Sequence, residues 1–392
     1  MDTTPISGLP ELDKHLDELL GDVSLTLSPK LFDDVELQLT ESNIPSLIPL
    51  LLPKLVTLLQ QYPLDPTPIV TLTIKLLKPI SFTQILQLAS ESSLIAALSS
   101  PSPQVNILAL TILHKAAASP SDAAILSVMP SLFSTFLTTW LATPHVEVGQ
   151  KALKVLGDLL DIDCPLPPPP PPPRQPAITT GIAVAYSELV LRKSPGKGAL
   201  WNLLLSTHST YALLLDLVSG RHPLTAASQH QLSLAQGRLL RLLPRLACLN
   251  LAAISQSQFP APTPARFTNG HGSSSAVEDA DVSAPVPTPT PGQGILQFAA
   301  LHMVDKSDAL MHLSLVDFFE AFVSLMRVAE HSAFKVEVTK SLLEEALKDG
   351  RDEVLKGALV TLPDRTVEEE ADGLRRWLEA VMLGAGGEVP IR

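Results

Sequence analysis

The chain has 392 residues, with 28 lysines and arginines, 40 aspartates and glutamates, and a formal net charge of -12 at pH 7. Hydrophobic residues make up 45% of it and aromatic residues only 4%, so the apolar content falls on Leu, Ala, Val and Ile, which favours packed helices over a sandwich or barrel. An acidic chain repels phosphate, which argues against direct binding of nucleic acid.

The N-terminal part of the chain predicts a series of short amphipathic helices. Leu9 to Leu20 has apolar residues at helical spacing and predicts a capping helix. From Ile44 to Leu77, Leu-rich segments alternate with prolines, which predicts two or three short helices. The most apolar stretch, Ile44 to Leu64, is broken by prolines, so we expect no membrane-spanning helix there. Met1 to Pro10 lacks the basic and apolar regions of a signal peptide.

A pattern of six positions recurs after 43 residues. The two copies are Leu98, Pro101, Val105, Ala109, Leu110 and Leu113, and then Leu141, Pro144, Val148, Ala152, Leu153 and Leu156. The same spacing returns near the C-terminus, with Gly in place of Pro, as Leu347, Gly350, Val354, Ala358, Leu359 and Leu362. Repeats of about 40 residues are typical of HEAT and armadillo units, whose neighbours together bury a continuous core. The sequence therefore predicts an all-α, HEAT/armadillo-like helical-repeat solenoid.

Two segments interrupt the predicted solenoid. Seven consecutive prolines, Pro167 to Pro173, must be extended, because each ring fixes φ and none can donate to a helix. We favour an insertion here, with a ligand for profilin, SH3 or WW grooves as the alternative. The second segment, 255–294, is rich in Pro, Ser, Thr and Gly and predicts disorder.

These interruptions divide the chain into six predicted parts. They are N-terminal repeats at 1–163, a poly-proline loop at 164–178, middle repeats at 179–254, a disordered insertion at 255–294, C-terminal repeats with a cap at 295–383, and a flexible tail at 384–392.

The sequence contains none of the familiar motifs of catalysis or metal binding. Its histidines lack HExxH or HxH spacing, its two cysteines, Cys164 and Cys248, form no CxxC, and Gly196-Lys197-Gly198 lacks the GxxxxGK[ST] frame. No GxSxG elbow is present. We therefore expect a protein that is not an enzyme and that uses no cofactor or metal. The isolated cysteines favour a reducing compartment, the cytoplasm and also the nucleus.

Charge is distributed unevenly along the chain. Residues 1–163 carry 17 acids and 8 bases, residues 174–246 carry 2 acids and 8 bases, and residues 295–392 carry 18 acids and 11 bases. Such patches could steer a partner of complementary charge, although solvated helix faces would give the same distribution.

Candidate partner-binding residues fall into a basic and an acidic group. Arg238, Arg241 and Arg245 share one helix face if Pro244 does not break the helix, and could bind carboxylates of a partner. The alternative is that they form the solvated back of a helix whose leucines face inward. The acidic group, which could meet a basic partner, consists of Asp13, Asp17, Asp33, Asp34 and Glu36.

Four runs, taken in order along the chain, form a pattern in which an apolar helix is followed by a Pro-containing turn and a second apolar helix. They are Phe82 to Leu88, Leu94 to Pro101, Val105 to Leu113, and Val146 to Leu160. These runs resemble the 26S proteasome non-ATPase regulatory subunit 5 family, in which such helices form armadillo-like units. Fungal members of that family have also been described as a DNA mismatch repair protein with a characteristic N-terminal domain.

The resemblance implies an assembly chaperone for the base of the proteasome regulatory particle. It further implies a monomer that binds the C-terminal domain of one AAA ATPase subunit, and with it the base subcomplex, and that needs no membrane or nucleic acid. The alternatives are a helical-repeat adaptor in nuclear transport or trafficking, and a mismatch-repair-associated scaffold. The import reading is less favoured because Trp140, Trp201 and Trp377 lack an Asn four residues later.

Overall fold

The computed structural model describes residues 6–166, 195–259, 290–291, 294–329, 332–348 and 352–382. Within these ranges the regular structure is helical, apart from one pair of two-residue strands. The prediction of an all-α, helical-repeat protein is confirmed. The poly-proline run, most of the 255–294 insertion and the tail at 384–392 lie outside the described residues.

The chain divides into two compact units. The first comprises residues 1–139 and 145–155, and the second comprises residues 140–144 and 156–392. The first ten helices are α1 (Leu9–Gly21), α2 (Pro29–Leu37), α3 (Ile44–Gln61), α4 (Thr67–Leu77), α5 (Phe82–Ile85), α6 (Glu91–Leu98), α7 (Pro103–His114), α8 (Pro120–Ser127), α9 (Pro130–Ala142) and α10 (Val146–Ile162). The division falls within α9 and α10, so each of these helices contributes residues to both units.

The remaining helices belong to the second unit. They are α11 (Ala199–Leu205), α12 (His208–Val218), α13 (Pro223–Ala226), α14 (Gln229–Ser255), α15 (Ile295–Leu301), α16 (Ala309–Val328), α17 (Ala333–Leu347), α18 (Glu353–Thr361) and α19 (Glu368–Met382). Two short 3-10 turns, Lys115–Ala118 and Pro363–Arg365, follow α7 and α18 in the chain.

The first four helices each bury one apolar face in a common core. Proline stands in the first turn of all four, where the missing N–H has no helical partner to lose. Apolar residues at spacings of three and four then place the leucines on one side. The core consists of Leu12, Leu16, Leu19, Phe32, Val35, Leu39, Ile44, Leu47, Leu51, Leu55, Leu58, Ile69, Leu72 and Leu76.

Helix α3 continues through its internal prolines, contrary to our expectation. It runs unbroken over 18 residues, and together with α4 it accounts for the segment in which we predicted two or three short helices. Pro45, Pro49 and Pro53 are four residues apart and all exposed, so they share the solvent side of the helix. Water can bond there to carbonyls that the prolines leave without a donor, while the opposite face packs in the core.

Within the described ranges, two helices are long and apolar enough to cross a membrane by length and composition, namely α3 and α16. The bent pair α8 and α9 would make a third if it is counted as one span. Our reason for excluding a spanning helix at Ile44 to Leu64 is therefore wrong, because the prolines leave that helix intact.

The 43-residue pattern marks a helix junction in its first two copies. Leu98 is the last residue of α6, and Leu141 is the penultimate residue of α9. Ala109 and Ala152 lie in the following helices, α7 and α10, and both are fully buried. The pattern therefore identifies equivalent positions in two successive helical repeats.

The third copy keeps the order of helices but changes the buried face. Leu347 ends α17, and α18 follows, as the pattern predicts. Val354 is 53% exposed, however, whereas its counterpart Val148 is fully buried, and the inward positions of α18 are taken by Leu355 and Leu359. We therefore correct the third copy to a helix–turn–helix unit with a different helix rotation.

At each interruption, the residues just before and just after it are hydrogen-bonded to each other. Gly196 donates its N–H to the carbonyl of Cys164 at 2.6 Å, and Gly198 donates to Asp163 at 2.8 Å. A Cβ at Gly196 would overlap the backbone of Asp163, so this approach requires glycine. At the second interruption, strand β1 (Gln256–Ser257) pairs antiparallel with β2 (Thr290–Pro291).

Candidate partner-binding surfaces

The acidic candidates of α1 share one lysine. Lys54 donates to Asp13 at 2.7 Å and forms an ion pair with Asp17 at 2.6 Å, both within the first unit. The hydrogen bonds that Lys54 donates to these two carboxylates raise its pKa. One positive charge therefore offsets two negative ones, and the pair retains less charge than the sequence count implies.

The acidic candidates of α2 are more open. Asp33 and Asp34 are adjacent and exposed, and neither forms an ion pair with another residue that the structure describes. Glu36 on the same helix is half-buried. Asp33 and Asp34 are thus the acids of the predicted group best placed to meet a basic partner.

The arginine row differs from both interpretations of the sequence. Helix α14 does continue through Pro244, so the three arginines lie on one helix. Only Arg241 is exposed, however, while Arg238 and Arg245 are 8% and 6% exposed. The expectation of an exposed three-arginine stripe is therefore corrected, and Arg241 is the member that a partner could reach.

Arg238 caps the end of a helix. Its Nη1 atom donates to the carbonyls of Trp140, Leu141 and Thr143 at 3.0, 3.1 and 2.8 Å. The last carbonyls of a helix lack intrahelical donors, and a cation there also suits the helix dipole. Burial, with a smaller contribution from the charge of Arg241, lowers the pKa of Arg238 to about 10, so the side chain is still positively charged at neutral pH.

In the preceding repeat, a different side chain caps the equivalent carbonyls. Asn106, which is buried in α7, donates from Nδ2 to the carbonyls of Ala97, Leu98 and Ser100 at 2.9, 3.0 and 3.0 Å. These three positions precede those capped by Arg238 by 43 residues each. The residue equivalent to Asn106 is Gly149, which has no side chain to donate. Because α10 has no donor at this position, Arg238 of α14 caps the end of α9 in its place.

Arg245 belongs to a buried ionic cluster that the sequence did not reveal. Its Nη2 atom lies 2.8 Å from Asp158 Oδ1 and 3.4 Å from Asp161 Oδ2, and all three side chains are buried in the second unit. A Cβ at position 157 would collide with the guanidinium, so Gly157 makes room for it. The i, i+3 spacing of the two aspartates was the available sequence signal.

A third acid of the same region, Asp163, caps helix α11. Its Oδ2 atom accepts a hydrogen bond from the backbone N–H of Leu200 at 2.7 Å. Burial raises the pKa of Asp163, and backbone N–H donors at Leu200 and its neighbours oppose that rise. This carboxylate therefore fastens the chain after the first interruption, which is a structural role.

An exposed apolar patch in the second unit also escaped the sequence analysis. Leu310 and Leu313, on the first turns of α16, are 77% and 53% exposed, and Val354 begins α18. The remaining large apolar residues of α16 are buried, apart from the half-buried Val328 at its end. Periodicity alone does not distinguish Leu310 and Leu313 from core residues, because they also have helical spacing.

The described residues offer no arrangement for metal chemistry or a reactive thiol. No group of three or more His, Cys, Asp or Glu side chains among them could hold a metal ion. Cys164 is buried and donates its thiol to the carbonyl of Leu249 at 3.3 Å. Burial raises the pKa of Cys248 to about 12, partly opposed by the charge of Lys335, so this thiol stays protonated and a poor nucleophile.

Comparison with known proteins identifies a family whose model matches the N-terminal part of the chain. Residues 13–151 match the family model described as the N-terminal domain of the DNA mismatch repair protein HSM3. No curated protein and no solved structure matches the chain. The matched residues contain three of the four runs on which the resemblance was based. The comparison therefore confirms the resemblance for those three runs.

Proposed function

We propose that this chain is a proteasome assembly chaperone, because residues 13–151 match the HSM3 N-terminal-domain model, whose family includes the proteasome base assembly chaperones. The family match is the observation that carries the proposal. The helical repeats support it, since stacked repeats form extended surfaces that bind other proteins.

The proposed partner is the C-terminal domain of one AAA ATPase subunit in the base of the regulatory particle. A monomer of this chain would bind that domain through a curved surface of HEAT- or armadillo-like repeats. It would guide ring formation by covering a surface that a neighbouring subunit binds later, and it would then dissociate. Such a mechanism needs no catalysis, cofactor, membrane or nucleic acid.

The proposed location is the cytoplasm and the nucleus. Both cysteines are free thiols in the structure, and Cys164 is buried. A fold that depends on no disulfide among its described residues suits a reducing compartment.

The exposed charges favour electrostatic steering of the partner. Asp33 and Asp34 lie within the matched residues and are open to solvent, and Arg241 is exposed on α14. Charges of this kind speed encounter and are screened by salt. We therefore assign initial contacts to these three residues, and not to the buried Arg238 and Arg245.

Affinity purification of the full chain from its own cells, followed by mass spectrometry, tests the proposal. The expected result is recovery of proteasome base subunits, and binding of the isolated C-terminal domain of one ATPase subunit to the purified chain. Recovery of transport cargo or coat subunits without base subunits would reject the proposal.

A charge-reversal variant locates the contact. Asp33→Lys with Asp34→Lys should slow association with the ATPase domain severalfold at low salt and less at high salt. Glu379→Lys, at an exposed position of α19, reverses one charge away from these residues and should leave the association rate nearly unchanged. Equal rates for both variants would remove Asp33 and Asp34 from the binding surface.

The family description supports a second candidate function. The matched family is described as a mismatch repair protein, so a role as a scaffold for repair proteins is the alternative. The net charge of -12 opposes direct DNA binding, so such a scaffold would act through proteins. Recovery of repair proteins in place of base subunits in the same purification would favour it.

A further inference from the structure

The apolar patch of Leu310, Leu313 and Val354 is formed by the first turns of two helices. Leu310 and Leu313 are three residues apart and therefore lie on the same face of α16. Asp352, two residues before Val354, bonds to His312, which brings the first turns of α16 and α18 together. Three large apolar side chains are thus exposed around these two helix starts.

The helix starts themselves do not need these side chains. Asp308 caps α16 by accepting from the N–H groups of Leu310 and Met311 at 3.0 and 3.2 Å. Asp352 caps α18 through the N–H of Leu355 at 3.0 Å. Polar residues at the positions of Leu310 and Val354 would leave both caps in place. Grouped apolar exposure of this kind, unlike scattered single residues, marks interaction sites.

The rim of the patch is acidic. Asp305 and Glu353 are exposed, and neither forms an ion pair with another described residue. The exposed base Lys306 is neutralised by Asp352 at 2.7 Å. Among the described residues here, the half-buried Lys356, nearly a turn further along α18, is an unpaired base. The unpaired acids Asp305 and Glu353 outnumber it, so the described charge available to a partner at the apolar residues is negative on balance.

We propose that this patch binds a basic amphipathic segment of a partner protein, whose apolar side chains cover Leu310, Leu313 and Val354 while its Lys or Arg residues meet Asp305 and Glu353. The patch lies outside the matched residues 13–151, so it is a second contact surface. The identity of the partner as a base subunit rests on the proposed function; the chemistry of the surface does not.

Fluorescence anisotropy with the full chain tests the surface directly. The probe is a labelled synthetic amphipathic helix of Leu, Ala and Lys, and its counterpart has Glu in place of Lys. The Lys peptide should bind the wild type, and binding should weaken about tenfold in the double variant Leu310→Gln with Leu313→Gln, which removes two exposed apolar side chains without changing charge. Glu353→Gln should weaken binding in low salt only.

A matched control separates this surface from general attraction to an acidic protein. Leu224→Gln changes a leucine of similar exposure in the same unit and should leave the affinity unchanged. Equal loss in Leu224→Gln and in the double variant, equal binding of the Glu peptide, or no binding of the Lys peptide would overturn the proposal.

Other occupants of the patch give different results. A wild-type dimer that the double variant converts to a monomer in sedimentation would show that a second copy covers the patch, and would overturn the proposal. Peptide binding that appears only after residues 174–194 are deleted would assign the patch to this chain's own segment, with the same consequence. Failure to recover base subunits rejects the proposed function and leaves the peptide result standing.

Discussion

Arg238 caps the carbonyls of one helix as Asn106 caps the equivalent carbonyls 43 residues earlier. The two side chains reach their acceptors from different helices, α14 and α7. A repeat in which Gly149 replaces the asparagine thus depends on a donor from further along the chain. In both repeats the carbonyls at the end of a helix need a side-chain donor, which comes from the next helix in one repeat and from a distant helix in the other.

Replacing either cap should destabilise the protein. Asn106→Leu and Arg238→Met leave three carbonyls without their donor, and each should lower the free energy of unfolding by about 1–3 kcal/mol. Urea denaturation measures the change. Arg241→Met, on the exposed side of α14, should alter it by less than about 0.5 kcal/mol. An Arg238 variant as stable as the Arg241 variant would show that the cap contributes nothing.

Removing Arg245 should be more costly than removing Arg241. Arg245→Met takes the guanidinium away from the buried carboxylates of Asp158 and Asp161, and breaking such a pair costs about 3–5 kcal/mol. The same denaturation experiment measures it. Gly157→Ala should have the same direction of effect, because its methyl group displaces Arg245. Unchanged stability in both variants would place Arg245 outside the network.

Enlarging the two buried alanines of the repeat should overpack the helix junctions. Ala109→Phe and Ala152→Phe should each lower stability by about 1–3 kcal/mol, since neither side chain is exposed. Thermal unfolding monitored by circular dichroism provides the measurement. Ala96→Phe, at an exposed position of α6, is the control and should leave the melting temperature nearly unchanged. Equal melting temperatures for all three would contradict the assigned packing.

Shortening the second interruption should leave the fold intact. Because Ser257 pairs with Thr290, residues 260–289 can be replaced by a short Gly-Ser turn without moving β1 or β2. Halving a loop changes its closure free energy by only about 0.6 kcal/mol, so stability should change by less than about 2 kcal/mol. Helical circular dichroism and cooperative unfolding should be retained. Loss of cooperative unfolding would show that the replaced residues belong to the core.

Asp352 should make stability depend on acid pH. Burial raises its pKa, but hydrogen bonds from Lys306 and from the N–H of Leu355, with the charge of His312, leave the pKa below 3.8. A carboxyl whose folded pKa is depressed stabilises the protein above its unfolded pKa and loses that contribution as the pH falls through the folded value.

Comparison of the wild type with Asp352→Asn measures that contribution. In denaturation from neutral pH down to about pH 3, the difference in unfolding free energy should be constant at first and shrink below about pH 4. A difference that is the same at every pH would show that the charge of Asp352 does not contribute.

The sequence predicted what depends on local pattern. Apolar spacing gave the helices, and the recurrence of Leu98 and Ala109 as Leu141 and Ala152 located two equivalent junctions. The continuity of α3 was missed because the leucines on one face outweigh prolines that all lie on the other. Propensity alone cannot weigh that tertiary packing.

The candidate site was less predictable because its contacts are distant in sequence. Arg238 meets carbonyls almost a hundred positions earlier in the chain, and Arg245 meets Asp158 and Asp161 from a similar separation. Nothing in the spacing of the three arginines distinguishes the exposed Arg241 from its buried neighbours. The exposure of Leu310 likewise depends on the position of α18 beside α16, which the periodicity of α16 does not indicate.

The proline stripe of α3 has a consequence for how the protein is made. With Pro49 and Pro53 inside it, this segment cannot form a stable helix on its own, and only contact with the buried apolar residues of α1, α2 and α4 makes the helix favourable. We therefore expect residues 44–61 of a nascent chain to stay non-helical until α4 has emerged from the ribosome. On this expectation, α1 to α4 fold as one cooperative block, and not by addition of one helix at a time.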